Sequence, residues 1–245
     1  MSDHVNFLFD LDETLLNFHA SEKIALKEVV EACGCGFDDE VYAFFKARNK
    51  ELWLMLEKGI ITRVELFETR FRELLTKCGA DTAKTDFLKI NSDFISAMSR
   101  NGVILDGALE LLERIKTGIT GSRIYIVSNG ATLNALGRIK STGMDAYIDG
   151  TFISEDMGVN KPSPEFFKIV LDSIGSQKEN CIVIGDSLSS DMLGAKNAGI
   201  TSCWFNPAGD VDAAVREYEI GYTAGTFEEL YEVLVNWATC NLPVN

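Results

Sequence analysis

The chain has 245 residues, 46% of them hydrophobic and 24% charged, the composition of a globular protein with a sizeable core, which excludes a disordered tail and a small disulfide scaffold. With 23 basic against 37 acidic residues the formal charge is −14, which excludes a surface that follows nucleic-acid phosphates by charge alone. The length suits one large domain or a core with a second domain inserted into it.

Residues 1–10 contain no basic n-region and no long apolar run, and no segment approaches the ~20 apolar residues of a membrane span, so a cytoplasmic protein is expected. Cys33, Cys35, Cys78, Cys181, Cys203 and Cys240 have neither the paired spacing nor the histidine neighbours of a zinc site. Free thiols, several of them in the core, are expected.

Residues 5–10 read as the first strand, which runs into Asp10-Leu11-Asp12-Glu13-Thr14. Carboxylates at i and i+2 of an extended chain point to the same side. In isolation the pair reads more readily as a solvated acidic turn. Four helices follow, at 21–33, 38–58, 62–78 and 85–99. The second places Val41, Phe44, Phe45, Leu52, Met55 and Leu56 on one stripe. The third opens with a capping box, Thr62 and Glu65, and repeats Val64, Phe67, Phe71, Leu74, Leu75 and Cys78 at helical spacing; the fourth carries Phe87, Ile90, Phe94, Ile95 and Met98. With no strand among them, they read as a helical domain inserted over 17–104, leaving 1–16 and 105–245 as a discontinuous core.

Beyond the insertion, apolar strands at 123–128, 151–154, 181–186 and 201–205 alternate with helical patterns, the signature of a parallel sheet covered on both faces. The second strand ends in Ser128-Asn129-Gly130 before a helix over 131–142. A hydroxyl, an amide and free backbone N–H groups at a helix N-terminus suit a phosphate, and equally an ordinary helix cap. Lys161 stands in Asn160-Lys161-Pro162-Ser163-Pro164, where Pro162 stiffens the loop and Ser163 with Pro164 sets the start of the next helix. The fourth strand ends in Asp186 and continues as Ser187-Leu188-Ser189-Ser190-Asp191. If the first and fourth strands are neighbours where the strand order reverses, Asp10, Asp12, Asp186 and Asp191 converge. Four carboxylates in one crevice need a divalent cation, and hard oxygen ligands favour Mg²⁺.

Taken together, DLDET at 10–14, VSNG at 127–130, NKPSP at 160–164 and GDSLSSD at 185–191 resemble the four ordered motifs of the haloacid dehalogenase (HAD) superfamily. The resemblance implies an α/β, Rossmann-like core with a central parallel sheet and an inserted all-helical C1 cap of the four-helix-bundle type. It implies Asp10 as nucleophile, Asp12 as general acid and base, Ser128, Asn129 and Lys161 at the phosphate, and Mg²⁺ held by Asp10, Asp186, Asp191 and, through its backbone carbonyl, Asp12. Residues 48–53, 59–62, 67–71 and 203–206 are similar to a subgroup of pyrimidine 5′-nucleotidases. That similarity implies hydrolysis of a small phosphate monoester, a nucleoside monophosphate, by a monomer or homodimer with no nucleic-acid polymer or membrane as partner. Phe18, Asn49, Trp53 and Arg70 are the cap candidates for contacting base or sugar, although core packing is favoured for Trp53. Glu13 departs from the glycine that many phosphatases of the superfamily carry there. The competing readings are a sugar-phosphate phosphatase or phosphomutase on the same scaffold, and a Mg²⁺- and phosphate-binding regulator without turnover.

Overall fold

The computed structural model describes residues 4–209 and 212–241. The chain divides into two compact units, Met1–Phe18 with Gly102–Asn245, and His19–Asn101. Among the described residues no helix is long and apolar enough to cross a membrane.

The first unit opens with β1 (Val5–Phe9). The second unit is built from four helices, α1 (Phe18–Ala32), whose first residue belongs to the first unit, α2 (Asp39–Glu57), α3 (Arg63–Lys77) and α4 (Phe87–Arg100). The capping box of α3 is present, with the Thr62 hydroxyl accepting from Glu65 N and the Glu65 carboxylate accepting from Thr62 N. Its core is an aromatic trio, Phe45, Phe71 and Phe94, with ring centroids 5.5 to 5.9 Å apart. Truncating Phe71 to alanine is expected to cost about 3–5 kcal/mol, read as a lower denaturant midpoint. A cost below 1 kcal/mol would show that these rings do not hold the unit together.

Two sequence expectations need correction in this unit. Trp53 is not a core residue: it is 36% exposed. Among the described side chains of α2, Phe45 and Leu52 are buried, and Trp53 lies about 100° further round the helix from Leu52. Val64 likewise falls outside the buried face of α3, which consists of Leu66, Arg70, Phe71, Leu74 and Leu75. A cation occupies an inward position because its donors are met: Nε and Nη2 of Arg70 donate to Asn91 Oδ1, Nη1 donates to Asn49 Oδ1 at 3.3 Å, and four phenyl rings surround the guanidinium. Burial lowers its pKa to about 10, with Glu22 opposing that shift.

The first unit continues with α5 (Ala108–Gly118), β2 (Ser122–Ser128), α6 (Thr132–Ser141), β3 (Gly150–Ile153), α7 (Ser154–Met157) and α8 (Pro164–Ile174). It closes with β4 (Cys181–Gly185), α9 (Leu193–Ala198), β5 (Thr201–Phe205), α10 (Asp212–Tyr218), β6 (Tyr222–Ala224) and α11 (Phe227–Asn241). The six strands form one parallel sheet in the order β3-β2-β1-β4-β5-β6. Side chains alternate strictly between its faces, as a period of two requires. Phe7, Phe9, Ile124, Ile126, Ile182 and Ile184 join one core with residues of α5 and α11, while Leu8, Val127 and Val183 join another with Phe166, Phe167 and Val170 of α8. The sheet has one strand more than the five read from sequence, because β6 is three residues long and shows no periodicity of its own. All six cysteines are free thiols, and Cys35, Cys181 and Cys203 are buried.

Candidate active site

Strand order reverses at β1, which lies between β2 and β4 with Phe9 beside Ile126 and Ile184. The crevice outside the carboxyl ends of these strands is where an open α/β sheet binds ligands. Asp10 follows β1 directly, and its N–H donates to Ile184 O at 2.8 Å. Asp186 follows β4. Its N–H donates to the Thr14 hydroxyl at 3.1 Å, and the Trp204 indole N–H donates to its carbonyl at 2.8 Å. Asp191 comes from a single π-helical turn, Leu188–Met192, capped by Ser187. That wide turn carries the Asp191 carboxylate back over the strand end, where Ser187 N donates to it at 3.2 Å.

Carboxylate oxygens of Asp10, Asp186 and Asp191 lie within 4.8 Å of one another. Into the same cluster comes Lys161, whose side chain is 1% exposed. Its ammonium donates to Asp10 Oδ1 (2.7 Å), Asp191 Oδ1 (2.6 Å) and the carbonyl of Val127 (2.6 Å), so all three donors are used. Three acidic groups thus face one lysine, and the balance is electrostatically poor. Burial raises the pKa of Asp10, Lys161 opposes that rise, and Asp191 and Asp12 add to it. Burial, seconded by Asp191, pushes Asp186 up to about 6. Burial works against the Lys161 charge, but Asp10 and Asp191 outweigh it and hold the ammonium above its ordinary pKa. A hard divalent cation fits this donor set: oxygen ligands only, an excess of negative charge, and carboxylates that would otherwise retain protons.

Asp12 behaves differently from its neighbour. Its carboxylate is not in the cluster; both oxygens accept from Arg138, Oδ2 from Nη2 at 3.1 Å and Oδ1 from Nη1. The chain turns immediately after Asp12: Glu13 N donates to Leu16 O at 2.7 Å with Glu13 at φ +58°. That left-handed conformation is the physical reason a glycine suits position 13.

Ser128, at the end of β2, is 2% exposed, and its hydroxyl accepts from Gly130 N at 3.2 Å. Asn129 spends its amide on the main chain of Lys161, accepting from Lys161 N at 2.8 Å and donating to Lys161 O at 2.9 Å. It therefore anchors the lysine loop. Ser163 caps α8 by accepting from Glu165 N, with Pro164 in the first turn, as the sequence indicates. Of the candidates in the insertion, Asn49 and Arg70 bond to each other, Trp53 is exposed, and the Phe18 ring lies 5.4 Å from the Arg138 guanidinium. Sequence reading missed Thr14, Trp204 and Arg138. Arg138 carries no local signal at all, since a basic residue late in a helix usually faces water.

The family model described as haloacid dehalogenase-like hydrolase matches residues 6–199. The HAD-hydrolase YfnB of Bacillus subtilis is 32% identical over 96% of this chain and 97% of its own. A crystal structure of YfnB, bound to magnesium and described as revealing interdomain movement, superposes with a TM-score of 0.79 at 31% identity, covering 94% of this chain and 98% of that one. The pyrimidine 5′-nucleotidase PynA of Streptococcus pneumoniae is 35% identical over 82% of this chain and 83% of its own. A glyceraldehyde 3-phosphate phosphatase of Pyrococcus furiosus is 29% identical over 92% and 91%. Motif order, strand order and the matched span agree, and the chain belongs to the haloacid dehalogenase-like hydrolases.

Proposed function

We propose that this hydrolase is a Mg²⁺-dependent phosphomonoesterase that converts pyrimidine nucleoside 5′-monophosphates to nucleoside and phosphate. The observation that carries the reading is the grouping of Asp10, Asp186, Asp191 and Lys161 at the ends of β1 and β4 with Asp12 two residues from Asp10. Phosphate monoesters resist hydrolysis strongly, so a nucleophile, a proton donor and positive charge must act together. The Asp10 carboxylate attacks phosphorus in line and forms an aspartyl-phosphate, splitting one hard displacement into two easier ones. Asp12 gives a proton to the departing nucleoside oxygen, then takes one from the water that hydrolyses the intermediate. Lys161 and Ser128 hold the phosphoryl oxygens. Asp10, Asp186 and Asp191 would hold the cation, with the Asp12 carbonyl as a further ligand, and the cation supplies charge neutralisation at those oxygens.

The nucleotide preference is supported by PynA and by the helical insertion, read here as the substrate-selecting cap. On α2, Asn49 and Trp53 stand at i and i+4 and share a face. Arg70, committed to Asn49 and Asn91, orients Asn49 instead of meeting substrate itself. The test is a comparison of UMP, dUMP and dTMP with purine nucleotides and sugar phosphates, with and without Mg²⁺. Higher kcat/KM on the pyrimidine nucleotides is expected. Preference for a sugar phosphate would move the protein to the class of the Pyrococcus relative, and inactivity on every ester would favour a phosphate-binding regulator.

Two further outcomes follow from the cluster. A Cβ on Gly185 would meet the Asp191 carboxylate, so Gly185→Ala is expected to displace that group and lower kcat roughly 10²-fold with the fold retained. Undiminished kcat would detach Asp191 from the chemistry. The second concerns pH. Asp10 and Asp186 hold protons more tightly folded than unfolded, so their contribution favours the metal-free fold at low pH and is lost as pH rises through about 6 for Asp186. Mg²⁺ competes with those protons. The rise in Tm on adding Mg²⁺ is therefore expected to be small at pH 5 and largest near pH 8, and equal shifts at both would contradict the assigned ligands.

A further inference from the structure

Among the described residues Arg138 is the largest of the fully buried side chains, 1% exposed, and it lies on α6, the helix that follows β2. A guanidinium keeps its charge at any physiological pH, so its buried N–H groups demand acceptors. Those acceptors are the two side-chain oxygens of Asp12, each taking one N–H donor. Such a parallel fork fixes the plane of a carboxylate as well as its position. It uses one lone-pair site on each oxygen and leaves the other available. Asp12 is 30% exposed, so the pair has one end in the core and the other open to the crevice.

The surroundings tie this fork to the places where the chain leaves and returns to the unit. The Phe18 ring lies over the guanidinium, and Nε makes no hydrogen bond. Gly102 N donates to the Ser141 hydroxyl at 3.1 Å, and a Cβ on Gly102 would stand 2.7 Å from the Arg138 carbonyl. Among the described residues the ion pair of Arg138 is with Asp12 and not with Asp10, Asp186 or Asp191, so its influence on the reaction passes through Asp12.

We propose that Arg138 is a positioning residue for Asp12, setting the carboxylate so that it protonates the leaving oxygen and receives the negative charge left behind. The inference rests on the phosphomonoesterase reading and adds to it a residue that no strand-end motif contains. In proton balance, the proton moves from the Asp12 carboxyl to the ester oxygen as the P–O bond breaks. Asp12 becomes a carboxylate paired with Arg138, and the water that later attacks the aspartyl-phosphate returns the proton.

The experiment compares UMP, a poor leaving group that needs the proton, with p-nitrophenyl phosphate, a good one that hardly does. The readout is kcat/KM, which reports formation of the phosphoenzyme whatever the rate of its hydrolysis. Arg138→Met is expected to lower kcat/KM on UMP roughly 10²-fold or more and on p-nitrophenyl phosphate about tenfold or less, within the range general acids contribute. Arg138→Lys, which keeps the charge and loses the fork, should recover part of the loss. Asp12→Asn should show the same split between esters, and adding Arg138→Met to it should widen that split no further. In EDTA, the Tm losses of the two single variants should likewise be non-additive in the double variant. Equal losses on both esters, or additive effects with Asp12→Asn, would overturn the proposal and leave Arg138 a purely structural residue. If Arg138→Met does not fold, Arg138→Lys supplies the same comparison. Failure of the wild type on both esters would strike the phosphomonoesterase reading itself; a split in Asp12→Asn without one in the Arg138 variants strikes this inference alone.

Discussion

An Asp10→Asn protein is expected to fold normally and to lose phosphatase turnover by roughly 10⁴-fold or more, the scale on which removal of a covalent nucleophile is felt. A carboxamide oxygen is a far weaker nucleophile than a carboxylate and gives no aspartyl-phosphate. Stability should not fall with activity. Asp10 is a buried acid whose pKa is raised by burial and by Asp191 and Asp12, so removing its charge relieves repulsion while Lys161 retains Asp191 and the Val127 carbonyl as acceptors. The decisive pair of measurements is the rate of phosphate release and the Tm in EDTA. Retained turnover would remove the covalent mechanism, while a collapse of Tm would make the rate uninterpretable as chemistry.

Lys161→Met is expected to damage both properties at once. The lysine is the counter-charge of two buried carboxylates, and truncating one partner of such a network leaves uncompensated charge, at a cost of about 3–5 kcal/mol. For a chain of this size that is a fall in Tm of roughly 10 °C. The Val127 carbonyl would lose its donor as well. Mg²⁺ should return part of this stability, because a cation among Asp10, Asp186 and Asp191 meets the same excess charge. It should not return the rate, since the phosphoryl oxygens lose an ammonium donor worth about 10²–10³ in kcat. Unfolding curves with Mg²⁺ and with EDTA check this. An unchanged midpoint in EDTA would mean that the lysine is not the counter-charge its hydrogen bonds indicate.

These two residues differ in how they could be read. Asp10 stands at the end of an apolar strand, and its exit from the sheet is legible from Val5-Asn6-Phe7-Leu8-Phe9 alone. Lys161 is legible only as a lysine in a stiff loop, and its place among carboxylates depends on contacts over 151 and 30 residues of chain. Asn129 shows the same limit. A helix-start asparagine suggests a phosphate ligand, and its amide also bonds the main chain of Lys161, 32 residues away, and the Ser190 hydroxyl, partners that no local pattern reveals.

By itself the sequence determined what local periodicity can carry: four helices in the insertion, the strands with apolar side chains on both faces, the strand-end acids, and the capping box at Thr62. Those features depend on neighbours three, four or two residues apart, and the chain encodes them wherever it goes. Tertiary structure alone decided which polar groups are paired and which large side chains are covered. Trp53 is exposed and Arg70 is buried, against their average preferences, because aromatic rings and two asparagines satisfy the guanidinium. Asp12 leaves the acidic cluster because Arg138, 126 residues away, takes its charge. Long-range pairing of buried charge is set by the desolvation each group must offset, and no window of sequence contains both partners.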